Sequence, residues 1–268
     1  MDLLGLAHVR GAGLNSSKAC LEGTRQQTLG ELITWINNPD APRVRFLLGG
    51  AGTGKSSIAH SVGGYFRELR RLGCLFCFDR SFQGDRHPES VLSTIAYNLA
   101  NWNPSFRNAL VEVLREQRDL GDSKDIAAQW NGLIVEPLKH ISLVGPVLVV
   151  FDAFDECSPA DARPRRLLLK HLTESSADLP SNFRILVTSR PERDVIDALE
   201  LSSSNGFPVS SVSLDDSREE VMLDVERYIR HELIPRGRGR EGGSVGRRGL
   251  PAACFQIGGS IPVGCDGL

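Results

Sequence analysis

No apolar run in the 268-residue chain is long enough to cross a bilayer. The longest, Val144 to Phe151, falls far short of the roughly 20 residues that a spanning helix needs. The start, Met1-Asp2-Leu3-Leu4, has no basic stretch ahead of an apolar one, so no secretory leader is expected. Cysteine is sparse and irregular: the six residues at 20, 74, 77, 157, 254 and 265 form no regular framework. A disulfide scaffold is excluded, and a reducing, cytoplasmic compartment is expected. There is no large excess of one charge either, since the formal net charge is −2. Residues 236–268 carry +3 and residues 1–235 carry −5, so the body is mildly acidic. That makes nucleic acid an unlikely partner for the body. With 41% hydrophobic and 24% charged residues, a disordered or collagenous chain is excluded, and one or two globular domains are expected.

What is present alternates between strand and helix patterns. Residues 1–20 are Gly-rich and irregular and read as a flexible arm. Thr24 with Gln27 matches a capping box, and Leu29, Leu32, Ile33 and Ile36 follow at helical spacing up to Pro39. Strands are expected at 43–48, 74–79, 146–152, 184–190 and, more weakly, 208–214. The third is apolar throughout, so both of its faces should be covered. Helices are expected at 57–70, in two or three pieces over 88–141, at 161–174, and from a second capping box at Ser217-Arg218-Glu219-Glu220 onward. Pro88 stands at a first turn, with Val91, Ile95 and Leu99 on one stripe. The fold class this implies is α/β, with a parallel sheet covered on both faces. The main domain is expected over 21–235. After Pro235, residues 236–268 hold 10 of the 27 glycines and read as a disordered tail.

The string Gly49-Gly50-Ala51-Gly52-Thr53-Gly54-Lys55-Ser56, followed by Ser57, matches the phosphate-binding P-loop pattern in full. Glycines let the backbone wrap tightly and turn N–H groups inward as an anion nest. The helix that follows directs its positive end at the same anion. Lys55 is a mobile point charge for the β- and γ-phosphates. The Ser56 hydroxyl supplies a hard oxygen for Mg²⁺. A strand context before and a helix pattern after the loop are both present.

Such a site needs a second carboxylate strand. Val147 to Asp152 has that form, and Asp152 would stand at the strand's C-terminal edge, where open α/β sheets bind ligands. Hydrolysis also needs a group that orients or deprotonates water. Asp155 or Glu156 can supply it. The fourth strand ends Thr188-Ser189-Arg190-Pro191. There a polar residue could sense the γ-phosphate, and Arg190 could stabilise its charge.

Together these residues resemble the NACHT family of STAND-class P-loop NTPases, in particular its fungal nephrocystin-like branch. The matching pieces are Cys20 to Arg25, Leu47 to Ala59, Val147 to Cys157 and Arg184 to Glu192. The resemblance implies a three-layer P-loop NTPase fold with a five-stranded sheet in the order 5-1-4-3-2. It implies ATP or GTP with Mg²⁺, ATP being the first expectation, together with slow hydrolysis and a nucleotide-controlled signalling switch. Self-association through the NTPase domain is in keeping with it. It also implies that Gly23-Thr24-Arg25 approaches the base or ribose, beside the plainer reading of Thr24 as a helix cap. Members of that family carry an effector domain before this unit, and a winged helix and repeats after it. Here the likeness ends near Pro235, and a truncated or frame-shifted product is expected.

Two rival functions remain: a nucleotide-binding scaffold without turnover, and a metabolic P-loop kinase whose lid would draw on Arg163, Arg165 and Arg166. Other residue types carry less. Cys74 and Cys77, three apart on a strand, face opposite sides and cannot share an ion. Cys157 lacks a paired base. His60 and His87 read as structural or exposed, and Trp35, Trp102 and Trp130 as core. The Arg236 to Arg240 stretch reads as solvated.

Overall fold

The computed structural model describes residues 6–82, 88–159, 162–207, 209–215, 222, 224, 226 and 227. The expected helix from Ser217 onward lies mostly outside them, as do His87, Cys254, Cys265 and the whole 236–268 segment.

Five strands form one parallel sheet: β1 (Val44–Leu48), β2 (Leu72–Cys77), β3 (Val147–Asp152), β4 (Phe183–Ser189) and β5 (Val209–Ser213), in the order β2-β3-β4-β1-β5. Read from the other edge this is the expected 5-1-4-3-2. Alternation along each strand divides the core in two. Val44, Phe46, Val149, Phe151, Ile185 and Val187 face one buried cluster, while Leu47, Leu148, Val150 and Leu186 face the other. Helices α1 (Gln26–Asn37) and α2 (Lys55–Glu68) cover the second face through Leu29, Trp35, Ile58, Val62 and Phe66. The first face is covered by α3 (Pro88–Trp102), α4 (Pro104–Glu116), α5 (Ile126–Gln129), α6 (Glu136–Lys139), α7 (Arg163–Glu174) and α8 (Arg193–Ser204). A π-helical stretch, Trp130–Val135, joins α5 to α6. The result is three layers, helix, sheet and helix.

β3 is buried at all six positions, as its apolar sequence predicts, and edge strand β5 is half exposed. Pro88 opens α3, and Val91, Ile95 and Leu99 are buried. Cys74 and Cys77 do fall on opposite faces of the sheet. Trp35 and Trp130 are buried, and Trp102 donates its indole N–H to the Arg70 carbonyl at 2.9 Å.

Three expectations need correction. Thr24 does not cap α1. Its hydroxyl turns back to the Leu21 carbonyl at 2.7 Å, and Arg25, at φ 54°, takes the cap position with no side-chain cap bond. β2 runs over 72–77 rather than 74–79: its pairing with β3 already begins at Leu72 opposite Leu148, ahead of a register irregularity between Leu72 and Cys74, and ends at Cys77 opposite Asp152. Helix α8 has no counterpart among the expected elements; only Val195, Leu199 and Ser202 of its twelve residues are buried.

Residues 6–20 lie against the domain. Leu6 and Ala12 are buried in the larger core cluster. The Ala12 carbonyl accepts from Cys77 N–H at 2.8 Å, and Cys20 N–H donates to Ser61 Oγ at 2.8 Å.

Candidate functional site

The C-terminal ends of β1, β3 and β4 meet the start of α2. Between β1 and α2, residues 49–54 make a tight loop. Gly54 caps α2 at φ 85°, a left-handed conformation that side chains rarely adopt. At Gly49 a Cβ would fall 2.7 Å from Thr53 Oγ1, so the close turn needs glycine there. Gly50, with Ala51 and Gly52 beyond it, forms the outer rim, where Ala51 and Gly52 are exposed. Thr53 Oγ1 donates to the Gly50 carbonyl at 3.0 Å and ties the rim to the neck. Ser56 and Ser57 are half buried in the first turn of α2. An N-terminal helix end, a glycine turn and one ammonium converge here, which suits a polyphosphate.

Lys55 folds onto its own loop. Its Nζ donates to the Gly49 carbonyl at 2.8 Å and to the Gly50 carbonyl at 2.7 Å. Burial pulls its pKa below the usual lysine value, Asp155 opposes that pull, and Arg190 adds to it. Asp155 and Arg190 are thus the charged groups that act most strongly on Lys55.

Asp152 ends β3 and is fully buried. Its Oδ1 accepts from Thr188 Oγ1 at 2.6 Å, and the same Thr188 oxygen accepts from Ala153 N–H at 2.9 Å. Its Oδ2 lies 3.4 Å from Cys77 Sγ and 3.9 Å from His60 Nε2. His60 is four residues beyond Ser56, so both stand on one stripe of α2, with Ser56 nearer the loop. A hydroxyl and a carboxylate, both hard oxygen donors, thereby stand near the same end of the sheet. That donor set fits Mg²⁺.

Asp155 and Glu156 part company. Asp155 is buried; its Oδ1 accepts from Arg190 N–H at 3.2 Å, and its Oδ2 pairs with Arg190 Nε at 2.9 Å. Glu156 instead accepts from Arg80 N–H at 3.2 Å, on the far side of the turn. So Asp155 faces Lys55 and the loop, whereas Glu156 does not. Arg190 sits one residue past β4 with its side chain half exposed. Ser189 Oγ donates to the Arg190 carbonyl, and Thr188 is held by Asp152; neither hydroxyl faces open solvent.

Arg25 reaches the loop. Its Nη2 donates to the Thr53 carbonyl at 2.8 Å, while its backbone N–H donates to Asp224 Oδ2 at 3.0 Å. The structure therefore brings Arg25, Gly49 to Ser57, Asp152, Asp155 and Arg190 together, and leaves Glu156 to one side.

Sequence reading missed three neighbours: Thr188 as the anchor of Asp152, and His60 and Cys77 beside it. Local spacing carries no trace of them, because β2, α2, β3 and β4 meet only in three dimensions. Arg165 also differs from its expected place in a lid. It is 1% exposed, pairs with Glu192 at 2.6 Å and Asp194 at 2.9 Å, and lies over the Phe154 ring at 5.2 Å. Of that arginine stretch only Arg163 and Arg166 face solvent. No described helix is long and apolar enough to cross a membrane.

The family described as Nephrocystin 3, N-terminal, matches residues 23–190, more than half of the chain. No curated protein matches it.

Proposed function

The chain belongs to the nephrocystin 3 N-terminal family, and from that premise we propose that it is a P-loop nucleotide switch of the NACHT type. The observation that carries this reading is the Gly49 to Ser56 loop at the head of α2, with Lys55 folded on its rim and the buried Asp152 beneath it. On this reading the amides of residues 50–56 bind the phosphates of ATP or, second in order, GTP. Lys55 leaves its two carbonyls for the β- and γ-phosphates, an exchange of one set of oxygen acceptors for another. Ser56 and Asp152 hold Mg²⁺, which neutralises phosphate charge. Arg25, bonded to Thr53, stands on the side where the nucleoside would lie.

Asp155 is the group that orients the attacking water and takes its proton. The water oxygen bonds to the γ-phosphorus, the bond to the β–γ bridging oxygen breaks, and the nucleoside diphosphate and phosphate leave. Both oxygens of Asp155 are held by Arg190, which favours slow turnover and hence a switch over a fast hydrolase. Glu156, turned to Arg80, plays no direct part. The remaining parts of the reading are a cytoplasmic setting, which rests on the sparse cysteines, and self-association through this domain, which rests on the resemblance to the NACHT family.

The nucleotide that co-purifies with the protein tests the reading. Denaturing the purified chain should release adenine nucleotide at near one equivalent. Protein that carries no nucleotide and binds neither added ATP nor GTP with Mg²⁺ would overturn it.

A further inference from the structure

His60, Cys77 and Asp152 bring three unlike ligand atoms within 4.8 Å of one another, all of them buried. A nitrogen, a sulfur and an oxygen at such distances resemble a zinc site. The tautomer of His60 argues otherwise. Asn15 N–H donates to His60 Nδ1 at 3.1 Å, so Nδ1 offers its lone pair. With that lone pair engaged by a donor, the ring's proton sits on Nε2. A metal at Nε2 would need the opposite tautomer, with Nδ1–H donating to a partner. Here Nδ1 faces another donor.

Among the described residues the buried Nε2–H has no hydrogen-bond partner, which is costly for a donor. An anionic acceptor, Asp152 Oδ2, lies 3.9 Å away. The other carboxylate oxygen is already fixed by Thr188 at 2.6 Å. The carboxylate is thus held firmly by Thr188 on one side, while on the other Oδ2 accepts only the weak S–H of Cys77 at 3.4 Å. A small rotation brings Oδ2 onto Nε2–H.

We propose that His60 is a positioning residue for Asp152, its Nε2–H setting the carboxylate for the cation, with its tautomer fixed by the N-terminal segment through Asn15. This rests on the reading of Asp152 as a Mg²⁺ ligand. It makes residues 12–15 part of the cation site without touching the cation. The Ala12 carbonyl, bonded to Cys77 N–H, fixes the same segment on the other side of Asp152.

Two measurements on the full chain test it. Long-range ¹H–¹⁵N spectra of histidine-labelled protein report the tautomer, with Asp152→Asn as the companion variant. The expected result is a neutral ring protonated at Nε2, whose proton resonance moves in the variant. An Nδ1-protonated ring, or a resonance that does not move, overturns the proposal. The second measurement is a Mg²⁺ titration of nucleotide binding. His60→Leu should need about tenfold more Mg²⁺, in line with the loss of an outer-shell partner. Its affinity for nucleotide without Mg²⁺ should be unchanged. His60→Gln, which keeps an N–H near the Nε2 position, should restore most of the Mg²⁺ response. Equal Mg²⁺ dependence in His60→Leu and the wild type overturns the proposal. So does one equivalent of Zn²⁺ bound by the wild type and lost in Cys77→Ser. Should the wild type bind no nucleotide, the P-loop reading fails, and the histidine proposal is judged on the spectra alone.

Discussion

Thr188→Val isolates the support of Asp152 with little change of shape. The hydroxyl of Thr188 serves two buried groups: it donates to Asp152 Oδ1 at 2.6 Å and accepts from Ala153 N–H at 2.9 Å. Valine fills the same space, so the cavity contribution is small. What is lost is a hydrogen bond to a charged acceptor, about 1.5–3 kcal/mol, and the partner of a buried amide, about 1–3 kcal/mol. Ala153, at φ 58°, already has an unfavourable backbone, which that amide bond helps to hold. Some relaxation of the turn offsets part of the loss, so the net cost is about 3 kcal/mol. For a domain of this size about 1 kcal/mol moves the melting temperature by roughly 2–4 °C. Thr188→Val should therefore melt about 6–12 °C below the wild type. Thr188→Ser keeps the hydroxyl and loses one methyl, about 1 kcal/mol, and should fall by only about 2–4 °C. Circular-dichroism melts of both variants decide the matter. If the valine variant melts with, or above, the serine variant, the hydroxyl is not the anchor of Asp152.

Further expectations concern turnover, packing and pH. Asp155→Asn with Glu156→Gln should still bind Mg-nucleotide but release no phosphate; the single Glu156→Gln variant should keep most of the activity in the same phosphate-release assay. Arg165→Met should destabilise the domain by about 3 kcal/mol in urea unfolding, since it strands Glu192 and Asp194, which are themselves partly solvated. An unchanged midpoint would show that this hub is dispensable. His171, stacked on Trp130 at 5.6 Å, has its pKa pulled below the ordinary histidine value, mainly by burial. The unfolded chain thus takes up the proton first, and stability should fall as pH drops below about 6.5. His171→Gln should flatten that part of the pH–stability curve.

The parts of the fold legible in the sequence are those where one segment carries its own signal. The apolar run of β3 and the glycine string between β1 and α2 need no distant partner to be read. Helix α8 was not legible, because its twelve residues bury only Val195, Leu199 and Ser202 and its start has no capping side chain. The capping box at Thr24 illustrates the opposite failure. The residue types match, but the Thr24 hydroxyl finds the Leu21 carbonyl and Arg25 turns left-handed toward Asp224. In the site, Asp152 and Asp155 follow from their place at the end of β3. The different surroundings of Asp155 and Glu156 do not, since they are set by Arg190 and Arg80 from other elements. Thr188, His60 and Cys77 meet Asp152 only through the sheet order; Cys77 is 75 positions away.

The most direct measurement is equilibrium binding of a fluorescent ATP analogue with Mg²⁺ to the wild type and to Lys55→Ala. Lys55 supplies the one ammonium on the loop's rim, bonded to the Gly49 and Gly50 carbonyls. The wild type should bind, and at about 100-fold excess over Kd gain about 2.7 kcal/mol of stability. The alanine variant should fold but lose both the binding and the stabilisation. Equal affinity in the two proteins would contradict the phosphate cradle on which the account stands.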